Sequence, residues 1–191
     1  MRELSLHIMD IAENGLAAGA SLIDISVVED EKTNRLRIQI KDNGRGIPFA
    51  LLKKVLDPFY TTRTTRRVGL GLSLFREAAR RCDGEFHIDS KEKEGTEVSA
   101  TFRLDHIDLA PLGDMAGSLI SLIMGNPDAS FVYTHEVAGK TFQLDTREVQ
   151  KDLDGVPITN PEVIRSLAGF IRGSLADLRI MGNASLPLHE K

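Results

Sequence analysis

An alternating strand that runs into Asp-Asn-Gly-Arg-Gly constrains this chain more than any other feature. Leu36, Ile38 and Ile40 alternate with Arg37, Gln39 and Lys41, which puts the apolar side chains on one face of a strand. The alternation stops at Asp42-Asn43-Gly44-Arg45-Gly46. Farther on, Val68-Gly69-Leu70-Gly71-Leu72 opens a segment of helical period. Glycines let a backbone approach a ligand closely, and the free N–H groups at a helix start attract phosphate. A carboxylate at a strand end can accept a hydrogen bond from an exocyclic amine. With an Asn-bearing helix upstream, these are the parts of a nucleotide pocket.

The rest of the chain supplies a frame. Residues 3–18 form an amphipathic helix with Leu4, Ile8 and Ile11 buried, while His7, Asp10 and Asn14 line up on another face. Residues 22–28 and 35–41 are hairpin strands joined by the charged loop 29–34. A short helix from Pro48 to Leu56 ends at Pro58. Residues 59–68 have no period and read as a mobile loop. A helix from Gly69 to Arg81 buries Leu72, Phe75, Ala78 and Ala79. Strands 85–90 and 97–104 follow, turning at Glu94-Gly95. Beyond residue 105 come an apolar helix, 115–124, and a hairpin, 131–137 with 141–145, that turns at Ala138-Gly139. A last helix starts at Asn160-Pro161, a cap followed by proline at the first helical position, and runs to about residue 180. The tail from 183 to 191 is expected to be flexible.

Composition excludes several classes. The 191 residues carry 24 basic and 28 acidic side chains, a net charge of −4, so nothing draws the chain to nucleic acid or an anionic membrane. One cysteine, Cys82, rules out an internal disulfide and fits a reducing compartment, and it reads as a buried or half-buried thiol. The apolar runs are far shorter than a bilayer span, and the first residues lack a signal-peptide pattern. A cytoplasmic protein is expected. His87, His106, His135 and His189 show no metal spacing. His7 precedes Asp10 by one turn and reads as a helix-face or pocket-rim histidine, not a phospho-acceptor.

In this order the motifs resemble the GHKL ATPases, which share the Bergerat ATP-binding fold and include gyrase, mismatch-repair ATPases, sensor histidine kinases and anti-sigma kinases. The resemblance covers residues 1–104 and is nearest the catalytic ATP-binding domain of histidine kinases. It implies that Asn14, in Asp10-Ile-Ala-Glu-Asn14, coordinates Mg²⁺ on ATP. Asp10, one turn earlier, would orient or deprotonate a water or a substrate hydroxyl. Asp42 would bind the adenine amino group, with Gly44, Gly46 and Ile47 closing round the base. Phe59, Tyr60, Thr61, Thr62 and Arg63 resemble the short lid of nitrogen-regulation-type kinases, where Arg63 stands for the usual Lys. Arg63, Arg66 and Arg67 are candidates for phosphate contact. Val68, Gly69, Leu70, Gly71 and Leu72 match the phosphate-binding helix start, although Arg67 and Val68 replace its first Gly and Thr. Thr96 would support the adenine through Asp42 and a water.

The resemblance implies an α+β fold: a two-layer sandwich of a mixed, mostly antiparallel sheet with helices on one face. A helix–hairpin–helix extension over 105–182 would follow, to dock a partner or form a homodimer through 105–180. It implies an ATP- and Mg²⁺-binding module without its own phospho-acceptor, acting as a kinase on a separate protein or hydrolysing ATP slowly. The alternative is an ATP-gated switch with little catalytic activity. A gyrase-like or mismatch-repair-like ATPase fits less well, because the transducer domain of those enzymes needs more chain than remains and no basic DNA surface is evident.

Overall fold

The computed structural model describes residues 3–52, 54–55 and 71–183. Its core is one sheet with strands in the order β3-β4-β2-β1-β5-β6. Strands β1 (Leu22–Asp30) and β2 (Arg35–Asp42) form the expected hairpin. Strand β1 runs two residues past the expected end because Glu29 and Asp30 still pair with Leu36 and Arg35. Strands β3 (Phe86–Lys91) and β4 (Gly95–Arg103) make a second hairpin, and β4 pairs antiparallel with β2. The turn lies at 92–94, with Lys93 at φ 66°, and Gly95 already belongs to β4. Beyond residue 105, β5 (Ser130–Val137) and β6 (Lys140–Asp145) turn on positive φ at Ala138 and Gly139. Strand β5 lies parallel to β1, and every other pairing is antiparallel, so the sheet is mixed and mostly antiparallel as expected.

Helices lie over one face. Helix α1 (Leu4–Ala17) packs on β1, β2 and β4, between α3 (Gly71–Arg81) and α4 (Met115–Gly125). That central place explains why α1 buries more than the stripe Leu4, Ile8 and Ile11: Ser5, His7, Ala12 and Gly15 are buried too. Helix α2 (Phe49–Leu52) is one turn, and a seven-residue helix, α5 (Thr146–Asp152), follows β6. Helix α6 (Pro161–Asn183) covers β5 and β6, and its expected cap is present: Asn160 Oδ1 accepts from the Glu162 N–H at 2.9 Å. Arg35, Arg37 and Lys41 project from the helix-free face into solvent. Phe75, Phe102 and Phe86 form an aromatic cluster on the covered face, and burial pushes the Cys82 thiol upward in pKa. The short helix expected to reach residue 56, the loop at 59–68 and the tail beyond 183 fall wholly or partly outside the described residues.

A buried polar chain joins the two parts of the sheet. His135 Nε2 lies 2.8 Å from Glu29 Oε1, and His135 Nδ1 lies 3.0 Å from the Tyr133 hydroxyl. A carboxylate only accepts, so Nε2–H donates to Glu29. In a singly protonated ring, Nδ1 then accepts from the Tyr133 O–H. The His135 bond holds the Glu29 carboxyl below the usual carboxylate range, and burial keeps the Tyr133 proton in place by pushing its pKa up.

Candidate nucleotide site

Helix α1 carries two of the expected site side chains, Asp10 and Asn14, both half-buried. It touches the other parts of the site at two points. A Cβ built on Gly71, the first residue of α3, would stand 3.3 Å from Asp10 Oδ2. A Cβ built on Gly15 would stand 2.7 Å from the Cβ of Asp42. Asp10 therefore faces the start of α3, and the residue after Asn14 presses on the end of β2. Leu72 follows Gly71 and is half-buried against the core. The structure thus brings Asp10, Asn14, Asp42, Gly71 and Leu72 to one end of the sandwich. Phe59, Tyr60, Thr61, Thr62, Arg63, Arg66, Arg67, Val68, Gly69 and Leu70 lie outside the described residues.

Asp42 is the best-defined member. It ends β2 between Ile23 and Thr96. Burial pushes its carboxyl upward in pKa, and hydrogen bonds from the Gly44 and Thr96 N–H groups oppose that shift. Gly44 N–H donates to Oδ1 at 2.8 Å. A half-buried, acceptor-only group oriented by main-chain donors suits an exocyclic amine.

The loop after Asp42 is anchored on both sides. Asn43 Oδ1 accepts from the Ser21 and Leu22 N–H groups at 2.9 Å each. Arg45 N–H donates to the Ala18 carbonyl at 3.0 Å, and Lys93 N–H donates to the Arg45 carbonyl at 2.7 Å. Gly46 abuts the Lys91 carbonyl. Ile47 N–H donates to Ser90 Oγ at 2.8 Å. Ser90 gives its own proton to the Gly95 carbonyl at 2.9 Å, so it accepts from the Thr96 hydroxyl at 2.8 Å. Ser90 therefore ties Ile47, Gly95 and Thr96 together. Sequence reasoning passed over it, although it occupies an inward position of β3 in register with Phe86 and Ile88, where a polar residue needs a partner.

His7 is not at a pocket rim. It is 3% exposed, packs against Phe75 of α3 at 5.5 Å between ring centroids, and its Nδ1 has no hydrogen-bond partner among the described residues. Burial pushes its pKa from 6.5 down to about 4. The unfolded chain takes up a proton below pH 6.5 that the folded chain refuses until about pH 4, so stability falls as pH drops through that window. The expected slope from this one group is about 1.4 kcal/mol per pH unit. His7→Leu removes both the slope and the orphaned nitrogen. Thermal melts of the two proteins from pH 7 to pH 4 should diverge steadily, with the variant the more stable; parallel curves would refute this reading of His7.

The fit to a magnesium nucleotide rests on these donors. Among the described residues, no group of His, Cys, Asp and Glu is placed to hold a metal by itself. Magnesium typically takes one or two protein ligands and completes its shell with phosphate oxygens and water, which a single Asn14 on α1 can serve. An open groove of about 480 Å³, lined by Arg35, Arg37, Asp30, Asp83 and Glu85 among others, lies on the helix-free face. It sits at the opposite end of β2 from Asp42 and contains none of these side chains.

The family described as histidine kinase-, DNA gyrase B- and HSP90-like ATPases matches residues 1–106, more than half of the chain. The chain belongs to this family. That GHKL match spans Asp10, Asn14, Asp42, Gly71 and Thr96, and ATP binding is what membership implies. A putative sensor protein of Shewanella frigidimarina is 32% identical over 109 residues, covering 56% of this chain and 17% of that protein. The sensor protein kinase WalK of Staphylococcus haemolyticus is 34% identical over 95 residues, covering 47% and 16%. Sporulation kinase A of Bacillus subtilis is 28% identical over 102 residues, covering 53% and 16%. The chain thus spans only a small part of the length of these curated relatives. Among solved structures, the Aquifex aeolicus MutL ATPase domain complexed with ADP covers 76% of this chain and 63% of its own, at 16% identity and a TM-score of 0.49. The catalytic domain of the histidine kinase ThkA, in a nucleotide-free form, covers 49% and 61%, at 24% identity and a TM-score of 0.40. Among the described residues, no helix of this GHKL chain is long and apolar enough to cross a membrane.

Proposed function

We propose that this chain binds Mg-ATP at the end of the sandwich framed by Asp42, Asn14 and the start of α3. It would act as a histidine-kinase-like module that passes the γ-phosphoryl group to a separate protein or, slowly, to water. The observation that carries this reading is Asp42, a half-buried carboxylate oriented by two main-chain donors at a strand end. Asp42 accepts the adenine amine. Asn14 ligates the metal, and the N–H groups at the start of α3 meet phosphate. The bound nucleotide supplies the transferable phosphoryl group and the metal its counter-charge. Asp10, beside Gly71, positions the acceptor. The lid arginines Arg63, Arg66 and Arg67 neutralise charge on the phosphoryl oxygens, and the 105–182 extension docks the partner.

Purified protein with Mg²⁺ and γ-labelled ATP tests the reading. Steady release of phosphate is expected, falling about 100-fold or more in Asp10→Ala. Label retained as ATP despite saturable binding would move the reading to a kinase awaiting its protein substrate or to a switch. Absence of saturable binding would overturn it. The switch reading is favoured by one observation: β1, hydrogen-bonded to the Asp42 strand, also carries β5 of the extension. Closure at Asp42 would then be felt directly by the C-terminal elements.

A further inference from the structure

Ser90, Thr96 and Asp42 stand in one row across three neighbouring strands. Thr96 of β4 is opposite Asp42 of β2 on one side and Ser90 of β3 on the other. Residues opposite each other in an antiparallel pair project from the same face. That face is the helix-covered one, because Ile40 and Val98, two residues along their strands, are buried in the core. The row therefore places the Thr96 side chain beside the Asp42 carboxylate, with Ser90 behind it.

The protons of this row have fixed destinations. Ser90 Oγ has one proton and two lone pairs. The proton goes to the Gly95 carbonyl at 2.9 Å, which can only accept. One lone pair takes the Ile47 N–H at 2.8 Å, which can only donate. The other takes the Thr96 hydroxyl proton, at 2.8 Å between oxygens. Ser90 is thus saturated, and it turns the Thr96 proton toward β3 and away from Asp42. The Thr96 N–H is already spent on the Asp42 carboxyl. What the pair offers a ligand is oxygen lone pairs, on Asp42 and on Thr96 Oγ1, with no side-chain proton between them. Such an edge holds an amine. An oxo group in the same place sets acceptor against acceptor, and its desolvation goes uncompensated.

We propose that Ser90 is a positioning residue that sets the base selectivity of this site: by taking the Thr96 proton it keeps the edge acceptor-only, so that an aminopurine is held and an oxopurine rejected. This rests on the assignment of Asp42 to the base. Without the Ser90 hydroxyl, the Thr96 proton is free to turn. It can take an Asp42 oxygen, which removes a lone pair from the amine, or it can bridge to the oxygen of an oxopurine. Either course lowers the preference for adenine.

Calorimetric titration of the full chain with Mg-ATP and with Mg-inosine triphosphate is the test. The second nucleotide carries oxygen where ATP carries the exocyclic amine, and competition against ATP gives its weaker affinity. The unaltered chain should prefer ATP, and Ser90→Ala should lower that preference about fivefold or more. A merely structural Ser90, tying down the Ile47 loop, would weaken both nucleotides alike and leave their ratio in place. Ser90→Thr keeps the hydroxyl and should hold the ratio to within about twofold. In Thr96→Val there is no hydroxyl to aim, so adding Ser90→Ala should leave the ratio within about twofold of the Thr96→Val value. Circular dichroism confirms that each variant is folded, and Ser90→Cys, with a weakly bonding thiol, replaces Ser90→Ala if that variant does not fold. An unchanged ratio in Ser90→Ala overturns the proposal. So does an equal fall in Ser90→Thr, or one of full size in the Thr96→Val background. Absence of saturable ATP binding to the unaltered chain is a distinct failure, which overturns the nucleotide reading and this inference with it.

Discussion

Asp42→Asn is expected to lose ATP binding and keep its fold. The carboxylate accepts from the Gly44 and Thr96 N–H groups and, in the proposed complex, from the adenine amine. An amide has one acceptor oxygen and two N–H donors. If the oxygen stays with the main-chain donors, as it can in the free protein, the new NH₂ group points its hydrogens at the adenine amine. If it turns to the adenine, Gly44 loses its partner. Either way a buried donor is left unpaired or two donors collide, at a cost of about 3 kcal/mol, which is about 100-fold or more in Kd. The folded protein should not suffer. Burial already disfavours the charge at this position, and a neutral side chain of the same shape removes that penalty. Calorimetric titration with Mg-ATP, beside a melting curve, separates the two effects. Unchanged affinity would sink the assignment of Asp42 to the adenine.

Gly95→Ala should damage both stability and binding. Gly95 opens β4 at φ 114°, in a region where side-chain-bearing residues are strained. A Cβ there would stand 1.9 Å from the Asp42 carbonyl oxygen, and the next contacts are also main-chain atoms of Asp42 and Asn43. None of these can swing aside as a flexible side chain could, so the end of β2 must move. The two penalties act together, and a loss of about 3 kcal/mol or more is expected. The displaced group is the residue that carries the proposed adenine contact, so nucleotide affinity should fall in the molecules that still fold. A urea midpoint and an ATP affinity both equal to those of the unaltered protein would refute the close approach on which the site geometry rests.

Local signals in the sequence were sufficient for most elements. The alternation at Leu36, Ile38 and Ile40, the cap at Asn160-Pro161 and the turn at Ala138-Gly139 each have a short-range physical cause, and each appears where expected. The candidate site residues Asp10, Asn14, Asp42, Gly71 and Thr96 stand on elements set by the same signals. Three features were not legible. Helix α5 is short and charged and fully buries only Thr146, so it shows no apolar period. The parallel pairing of β1 with β5 joins Leu22 to Ser130, and nothing local encodes such a register. Glu29, Tyr133 and His135 acquire meaning only once that pairing brings them together. Their one trace in the sequence is a histidine at an inward strand position in register with Phe131 and Tyr133. His7 was misplaced for a related reason: helical spacing puts it in line with Asp10 and Asn14, and only the packing of α3 over α1 shows that it is covered.

The pairing of β1 with β5 also bears on how the chain is made. Until Ser130 and its neighbours emerge from the ribosome, β1 has a partner on one side only. Its free edge would carry Ile23, Ile25 and Val27, all fully buried in the finished protein, beside unpaired backbone groups. Such an edge is a template for pairing with another chain. Contacts this distant in sequence form late and slow folding. The first half of this polypeptide, which carries the candidate nucleotide site, is therefore the stretch most exposed to misassembly during synthesis, and its protection arrives only with the hairpin of β5 and β6.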